Sequence, residues 1–159
     1  MDGHCFDSFS SCFSQFILMT LSAIGYGSFI GVIIMEMDEN DGMTGLKAAT
    51  LTTAAMFILV FVSGINFANL FFVLIIVSLI LILIIWELSV LFRGISRGVQ
   101  KIKAVVAIII FSLSLLASIS MVNVSSDQGL NDWNTAIDLA FSIYLDIINL
   151  ILRFLEAMG

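Results

Sequence analysis

Six polar side chains recur at spacings of three or four residues along the last hydrophobic segment of the chain. They are Asp138, Ser142, Asp146, Asn149, Arg153 and Glu156. Because an α-helix repeats every 3.6 residues, these side chains form one stripe along a helix that is otherwise apolar. Carboxylates, a hydroxyl and an amide in such a stripe can bind a cation, take up a proton or pair with charges on a partner chain.

The sequence leaves two interpretations of this stripe open. A charged side chain in the hydrocarbon core costs about 2.5–3.5 kcal/mol on insertion scales, so a spanning helix keeps such groups where they pair or line a pathway. In that case Arg153 pairs with Glu156 and reaches Asn149, whereas Asp146, two turns away, is left partly uncompensated. Alternatively, the helix lies in the membrane interface with its polar face toward water. The narrow stripe and its single arginine favour the spanning helix.

Glu87 is a second ionisable group in apolar surroundings, and it follows Trp86 near the end of the most apolar segment. In one interpretation it belongs to the aromatic belt of the membrane interface, with Arg93 close in sequence. In the other it faces Asp146 across the bundle. Two carboxylates in a dry site cannot both ionise easily, so such a pair would act as a proton sensor or a cation site.

The remaining reactive residues exclude several classes of protein. His4 is the only histidine, and Cys5 and Cys12 are the only cysteines; their spacing fits no zinc template, so neither a metal site nor a cofactor is predicted. No catalytic triad, phosphate loop or dinucleotide motif occurs, and we expect that the protein is not an enzyme. No long basic stretch occurs either, so nucleic acid is not an expected partner.

The composition explains why these polar groups stand out. Of the 159 residues, 60% are hydrophobic and 11% are charged, against about 25% charged in soluble domains, and the mean hydropathy is +1.15. A spanning helix needs about 20 mainly apolar residues. The sequence predicts one all-α integral membrane domain over 1–159, an up-down helical bundle. Its expected transmembrane helices, about five in number, cover 13–35, 46–64, 68–91, 104–122 and 136–157.

The segments between these helices are predicted to be loops, at 36–45, 65–69, 92–103 and 123–134. The 92–103 loop holds four of the six Lys and Arg residues. Because cytoplasmic loops collect lysine and arginine, this loop is expected in the cytoplasm. Five spans then predict a multi-pass membrane protein with a cytoplasmic C-terminus and an external N-terminus.

Small residues follow one another at four-residue spacing in the first segment, at Ala23, Gly27 and Gly31. Such a stripe lets the backbone of another helix approach closely. It predicts helix packing and carries no chemistry.

The last segment also resembles a known family. Residues 142–152 read SIYLDIINLIL and are similar to the terminal helix of transmembrane Bax-inhibitor-motif proteins, which commonly reads Leu-Tyr-Leu-Asp-Phe-Ile-Asn-Leu-Phe. The resemblance covers this helix alone, and family members have more spans. It implies a pH-sensitive calcium leak in which Asp146 pairs with a second carboxylate, for which Glu87 is the only counterpart.

These observations leave several functions open. The first is a small leak channel for protons or cations, with Asp146 as sensor or ion ligand and Glu87 as its partner. The second is a non-catalytic subunit of a larger membrane assembly, in which Asp146 and Arg153 pair with charges on another chain. The third is a pore of identical chains. The expected partners are the lipid bilayer, a cation, and either identical chains or other membrane subunits. The predicted contact residues are Asp146, Asn149, Arg153, Glu87 and Asp138.

Overall fold

The computed structural model describes residues 3–93, 96–129 and 132–159, with side chains over 13–89, 96–129 and 132–159. The side chains of His4, Cys5, Cys12 and Arg93 therefore lie outside the described part. Five helices, each long and apolar enough to cross a membrane by length and composition, confirm an all-α bundle and a multi-pass membrane protein. They are α1 (Gly3–Glu36), α2 (Glu39–Ser63), α3 (Leu70–Arg93), α4 (Arg97–Asp127) and α5 (Trp133–Met158).

The acidic loop predicted at 36–45 is wrong in extent, because α2 already begins at Glu39. Asp38 is the residue that starts this helix, and its side chain accepts a hydrogen bond from the amide of Asn40. Glu39 and Asp41 follow in the first turn, where negative charge interacts favourably with the helix dipole. The acidic residues thus begin a helix rather than form a turn.

The glycines of that segment, Gly42 and Gly45, are buried inside α2. A Cβ atom at Gly45 would lie 3.1 Å from Leu155 Cδ2 and 3.5 Å from the Leu155 backbone. Glycine at this position therefore allows the backbones of α2 and α5 to approach each other. The sequence shows a glycine, but only the packed partner shows that it acts in helix packing.

The loop predicted at 92–103 is also too long, since α4 starts at Arg97 after Ser96. Lys101 and Lys103 therefore lie on a helix. The loop at 65–69 is confirmed, because α2 ends at Ser63 and α3 begins at Leu70. Hydropathy marks only the apolar centre of a membrane helix, whereas the hydrogen-bonded helix continues into its polar ends.

The connection between α4 and α5 is likewise shorter than the predicted 123–134, because α4 continues to Asp127 and α5 starts at Trp133. Asp132 begins α5, and its carboxylate accepts hydrogen bonds from the Thr135 hydroxyl at 2.6 Å and the Thr135 amide at 3.1 Å. The Thr135 hydroxyl and amide hold the pKa of Asp132 below its usual value.

Helices α4 and α5 pack together along their length and form the centre of the bundle. α2 packs on both of them, α1 mainly on α5, and α3 on α4. Within the described residues α3 makes no helix contact with α2, although the two are consecutive. Consecutive helices are neighbours in a simple up-down bundle, and α2 and α3 depart from that pattern because α3 packs beside α4 instead.

Side-chain contacts show how the helices are oriented. Ser118 of α4 meets Ser142 of α5, and Lys103 meets Glu156, so these two helices are antiparallel. We call the end of the bundle that holds Gly159, with the α1–α2 and α3–α4 connections, the C-terminal end. The opposite end holds the α2–α3 and α4–α5 connections.

The small-residue stripe on α1 is not covered within the described chain. A Cβ atom at Gly27 or Gly31 would meet nothing within 4 Å, and both glycines are exposed. The predicted close packing of Ala23, Gly27 and Gly31 against a helix therefore stays a prediction, and such a helix would come from another chain.

Candidate functional site

Asp146 is the buried centre of the polar stripe, with 7% of its surface exposed. Ser114 Oγ donates a hydrogen bond to Asp146 Oδ1 at 2.8 Å, and Ser118 Oγ donates to Asp146 Oδ2 at 2.6 Å. The hydroxyls of Ser118 and Ser142 lie 3.2 Å apart. Asp146 is about 18–20 Å along the axis from each end of α5, which is near the middle of a hydrocarbon core of about 30 Å.

The sequence of α4 explains how the carboxylate is held. Ser114 and Ser118 are four residues apart, so their hydroxyls lie one above the other on the face that packs on α5. Each oxygen of Asp146 accepts a hydrogen bond from one of these hydroxyls. Among the side chains that the structure describes, the ion pairs involve other carboxylates. Within the described residues, Asp146 is thus bonded to hydroxyl groups and not to a cation.

A cavity of about 280 Å³ lies between α3, α4 and α5. Asp146 does not line it, but the two serines that bond to Asp146 do. The hydroxyl-bearing residues on its α4 and α5 walls are Ser114, Ser118 and Ser142. The α3 wall is entirely aliphatic and is formed by Val73, Ile76, Val77 and Ile80. The α4 and α5 walls thus offer three serine hydroxyls, with Asp146 behind two of them, among the apolar residues Ala117, Met121 and Leu139, whereas the α3 wall offers only hydrocarbon.

A second polar cluster joins the same three helices nearer the C-terminal end. We call it the charge quartet, and it comprises Glu87, Lys103, Arg153 and Glu156. Lys103 Nζ lies 3.0 Å from Glu87 Oε2, to which it donates a hydrogen bond, and 2.8 Å from Glu156 Oε1. Arg153 Nη1 lies 2.6 Å from Glu87 Oε1 and 2.6 Å from Glu156 Oε2, and it donates a hydrogen bond to Glu156.

The quartet is neutral as a whole, because each cation contacts both carboxylates. The Lys103 side chain is 6% exposed and that of Glu87 is 32% exposed, so the cations are buried more deeply than the acids. Glu87 and Lys103 each lie six residues from the facing ends of α3 and α4. Antiparallel packing across the short connection therefore brings them to the same level.

An apolar layer separates Asp146 from the quartet. Leu83, Ala107, Phe111 and Leu150 form it, together with Ile110, and all five are buried. Asp146 and Arg153 are seven residues apart, which is about 10 Å along a helix. Toward the C-terminal end, the contact surface of α3, α4 and α5 therefore holds first Asp146 with its serine hydroxyls, then the apolar layer, and then the charge quartet.

The structure does not bring Glu87 to Asp146. Glu87 pairs with Lys103 and Arg153 instead, because its place on α3 is level with the end of α5 rather than with its middle. The carboxylate pair that the sequence raised as one interpretation, and that the family resemblance implied, is therefore wrong for this structure. The pairing of Glu87 with Arg93 falls on a side chain outside the described part.

The other predicted residues of the stripe take separate roles. Arg153 pairs with Glu156 at i+3, as their spacing predicts. Asn149 donates to the backbone carbonyl of Leu145 at 2.9 Å rather than meeting Arg153. Asp138 is exposed and accepts a hydrogen bond from Gln15 of α1 at 3.3 Å. The middle of the stripe is buried against α4, which favours the spanning helix over an interfacial one.

Sequence reasoning missed three members of these clusters. Ser114 and Ser118 gave a usable signal, since two hydroxyls four residues apart on an apolar helix imply one polar face. Lys103 was assigned to a loop, so its burial inside the bundle was not expected. Glu156 was recognised only as a local partner of Arg153.

Comparison with protein-family models, curated proteins and solved structures finds no match for the chain. The resemblance of the last helix to Bax-inhibitor-motif proteins therefore stays a prediction.

The quartet generates a prediction about stability. Lys103→Met leaves two carboxylates with one cation, and removing one partner of a fully buried ion pair costs about 3–5 kcal/mol. Because the two glutamates are nearly a third exposed, we expect a loss of about 2 kcal/mol in the free energy of unfolding. Reversible unfolding in detergent, followed by circular dichroism, measures it.

Lys101→Met is the matched control, because Lys101 is exposed on the same helix. It should change the free energy of unfolding by less than about 0.5 kcal/mol. The double variant Lys103→Met with Glu156→Gln restores one cation for one anion and should recover part of the loss. Equal effects of the two lysine variants would show that the quartet contributes nothing.

Proposed function

We propose that this membrane protein forms a pH-sensitive leak pathway for protons or small cations, with Asp146 as the carboxylate that binds them. The observation that carries the proposal is a buried carboxylate halfway along a membrane helix, bonded to two serine hydroxyls whose residues line a cavity. Ionisable groups at such a depth are costly and are kept where they bind ions, relay protons or pair. Ser114 and Ser118 donate hydrogen bonds to Asp146, and neither carries a charge.

In this proposal the ion enters from the end opposite the C-terminal end. That end carries Asp127, Asp132 and Asp138 and, within the described residues, neither lysine nor arginine. A surface of one charge sign raises the local concentration of the opposite ion. A hydroxyl both donates and accepts hydrogen bonds, so Ser118 and Ser142 can pass a proton to Asp146 or offer oxygen atoms to a cation.

The apolar layer and the charge quartet close the pathway toward the C-terminal end. The layer offers no polar atom to an ion, and the quartet engages every charge that it holds. Leu83 and Glu87 both lie on α3, whose backbone comes close to that of α4 alone among the described helices, while its side chains reach α5, as in the ion pair of Glu87 with Arg153. Opening in this proposal is a movement of α3 away from α5, which separates Leu83 from Leu150 and Glu87 from Arg153.

The proposal predicts how transport depends on Asp146. Asp146→Asn keeps the size of the side chain and removes its charge, and we expect flux through liposomes to fall by about tenfold or more, the factor that corresponds to about 1.4 kcal/mol. The remaining flux should not depend on pH. Fluxes of protons and of Na⁺, K⁺ and Ca²⁺ are measured separately with indicator dyes.

Asp138→Asn is the control, because Asp138 is an exposed carboxylate of the same stripe, and it should leave the pH dependence in place. The direction in which flux changes with pH distinguishes a pathway for cations from a pathway for protons. Protonation removes the charge of Asp146, so cation flux should fall as the pH falls, whereas proton flux should rise with proton concentration. Equal flux and equal pH dependence in Asp146→Asn and the wild type would contradict the proposal.

The proposal includes a cytoplasmic C-terminus. All six Lys and Arg residues lie at the C-terminal end or within the helix segments that approach it: Lys47, Arg93, Arg97, Lys101, Lys103 and Arg153. This distribution supports the orientation through the tendency of cytoplasmic ends to collect cations. With Cys5 and Cys12 replaced by serine, Gly159→Cys should react with an impermeant thiol reagent only after cells are opened. Reaction in intact cells would reverse the orientation.

A second candidate function is a non-catalytic subunit of a larger membrane assembly, or of a pore of identical chains. The open face of α1 at Ala23, Gly27 and Gly31 favours it, since small residues allow helices to associate. Native purification should then give stoichiometric partners or an ordered homo-oligomer, and Gly27→Leu should dissociate it. A monomer that is unchanged by Gly27→Leu would exclude this candidate.

A further inference from the structure

We propose that the cavity between α3, α4 and α5 binds a small hydrophobic amine in its protonated form. The ammonium group lies at Ser114, Ser118 and Ser142, and the hydrocarbon part lies against α3. The amine site adds a ligand to the proposed function. It rests on that function in one respect, since an amine bound here should block the ion pathway to Asp146.

The polar wall matches an ammonium group. An ammonium has three N–H donors and no acceptor, and the three serine hydroxyls of the cavity are oxygen acceptors. Ser114 and Ser118 each donate their one proton to Asp146, so Ser142 is the donor in its contact with Ser118. Since a hydroxyl has two lone pairs, Ser118 keeps one after accepting from Ser142, and Ser114 also has lone pairs to offer. The negative charge of Asp146, one hydroxyl away, attracts a cation and gives a neutral molecule no comparable gain.

The opposite wall selects for a hydrocarbon part. Val73, Ile76, Val77 and Ile80 supply no oxygen or nitrogen atom from their side chains. A hard metal ion such as Ca²⁺ takes about six to eight oxygen ligands around it, and hydroxyls on one side of a cavity do not supply them. A molecule with one cationic end and one apolar end meets both walls with matching chemistry.

Size and access narrow the ligand further. The volume of about 280 Å³ lies just below the range of about 300–1,000 Å³ typical of pockets for drug-sized ligands. A single aromatic ring or a short alkyl chain therefore fits the cavity. Val77 is 47% exposed, so the aliphatic wall continues to the lipid-facing surface and a membrane-soluble amine can enter from the bilayer.

Binding of 2-phenylethylamine to the full chain in lipid nanodiscs tests the proposal. At pH 7 this amine is protonated, and equilibrium dialysis of the radiolabelled compound should give saturable binding near one per chain. Asp146→Asn should weaken it at least tenfold. Ser142→Leu removes a hydroxyl and fills the cavity without removing a direct bond to Asp146, and it should abolish binding. Asp41→Asn, at an exposed carboxylate of α2 near the C-terminal end, should leave binding unchanged.

Neutral 2-phenylethanol, which has the same ring and chain length, distinguishes charge recognition from partition into lipid. It should show no saturable binding and no competition with the amine. Uptake of both compounds that is proportional to concentration, and equal in the wild type, Asp146→Asn and Ser142→Leu, would overturn the proposal. A folded Ser142→Leu protein that binds the amine like the wild type would also overturn it.

Flux measurements separate this inference from the proposed function. Block of wild-type flux by the amine, at the concentrations that saturate binding, supports both. Saturable binding that depends on Asp146, in a protein without flux, keeps the amine site and rejects the leak pathway. Flux that depends on Asp146 but is insensitive to the amine keeps the pathway and rejects the blocking site.

Discussion

The need to satisfy polar groups away from water constrains this bundle more than any other factor. Lipid hydrocarbon offers no hydrogen-bond partner, so a polar side chain at membrane depth must find one inside the protein. The contact surface between α4 and α5 provides those partners twice, for Asp146 through Ser114 and Ser118 and for Lys103 through Glu156. Glu87 of α3 adds a second partner for Lys103. These two helices form the centre of the bundle, and the other three pack around them.

The order of the layers along this surface gives the bundle its asymmetry. A cavity with hydroxyls lies on one side of the apolar layer, and a neutral set of four charges lies on the other. α3 contributes to the cavity wall, to the apolar layer through Leu83 and to the quartet through Glu87. Its backbone comes close to that of α4 alone in the described residues, and it reaches α5 through side chains such as Glu87, so α3 can move away from α5 without separating two closely packed backbones.

The sequence predicted part of the site for physical reasons that remain visible in the structure. Helical periodicity placed Asp146 and Arg153 on one stripe, and the stripe is buried where it meets α4. Periodicity describes one helix at a time, however, so it could not show which residues of the other helices contact the stripe. The pairing of Glu87 with Lys103 and Arg153, rather than with Asp146, depends on the level at which α3 packs beside α5, and no local pattern encodes that level.

The sequence by itself determined that lipid surrounds the protein, how many helices it has and which polar side chains those helices carry. Those properties follow from composition and from runs of about 20 apolar residues, which only a membrane helix accommodates. The tertiary structure alone decided that the 36–45 and 92–103 segments are mostly helical, that Gly45 makes room for Leu155, and that Asp146 is bonded to hydroxyls rather than to a carboxylate. The physical reason is that these outcomes depend on which faces of distant helices are buried together.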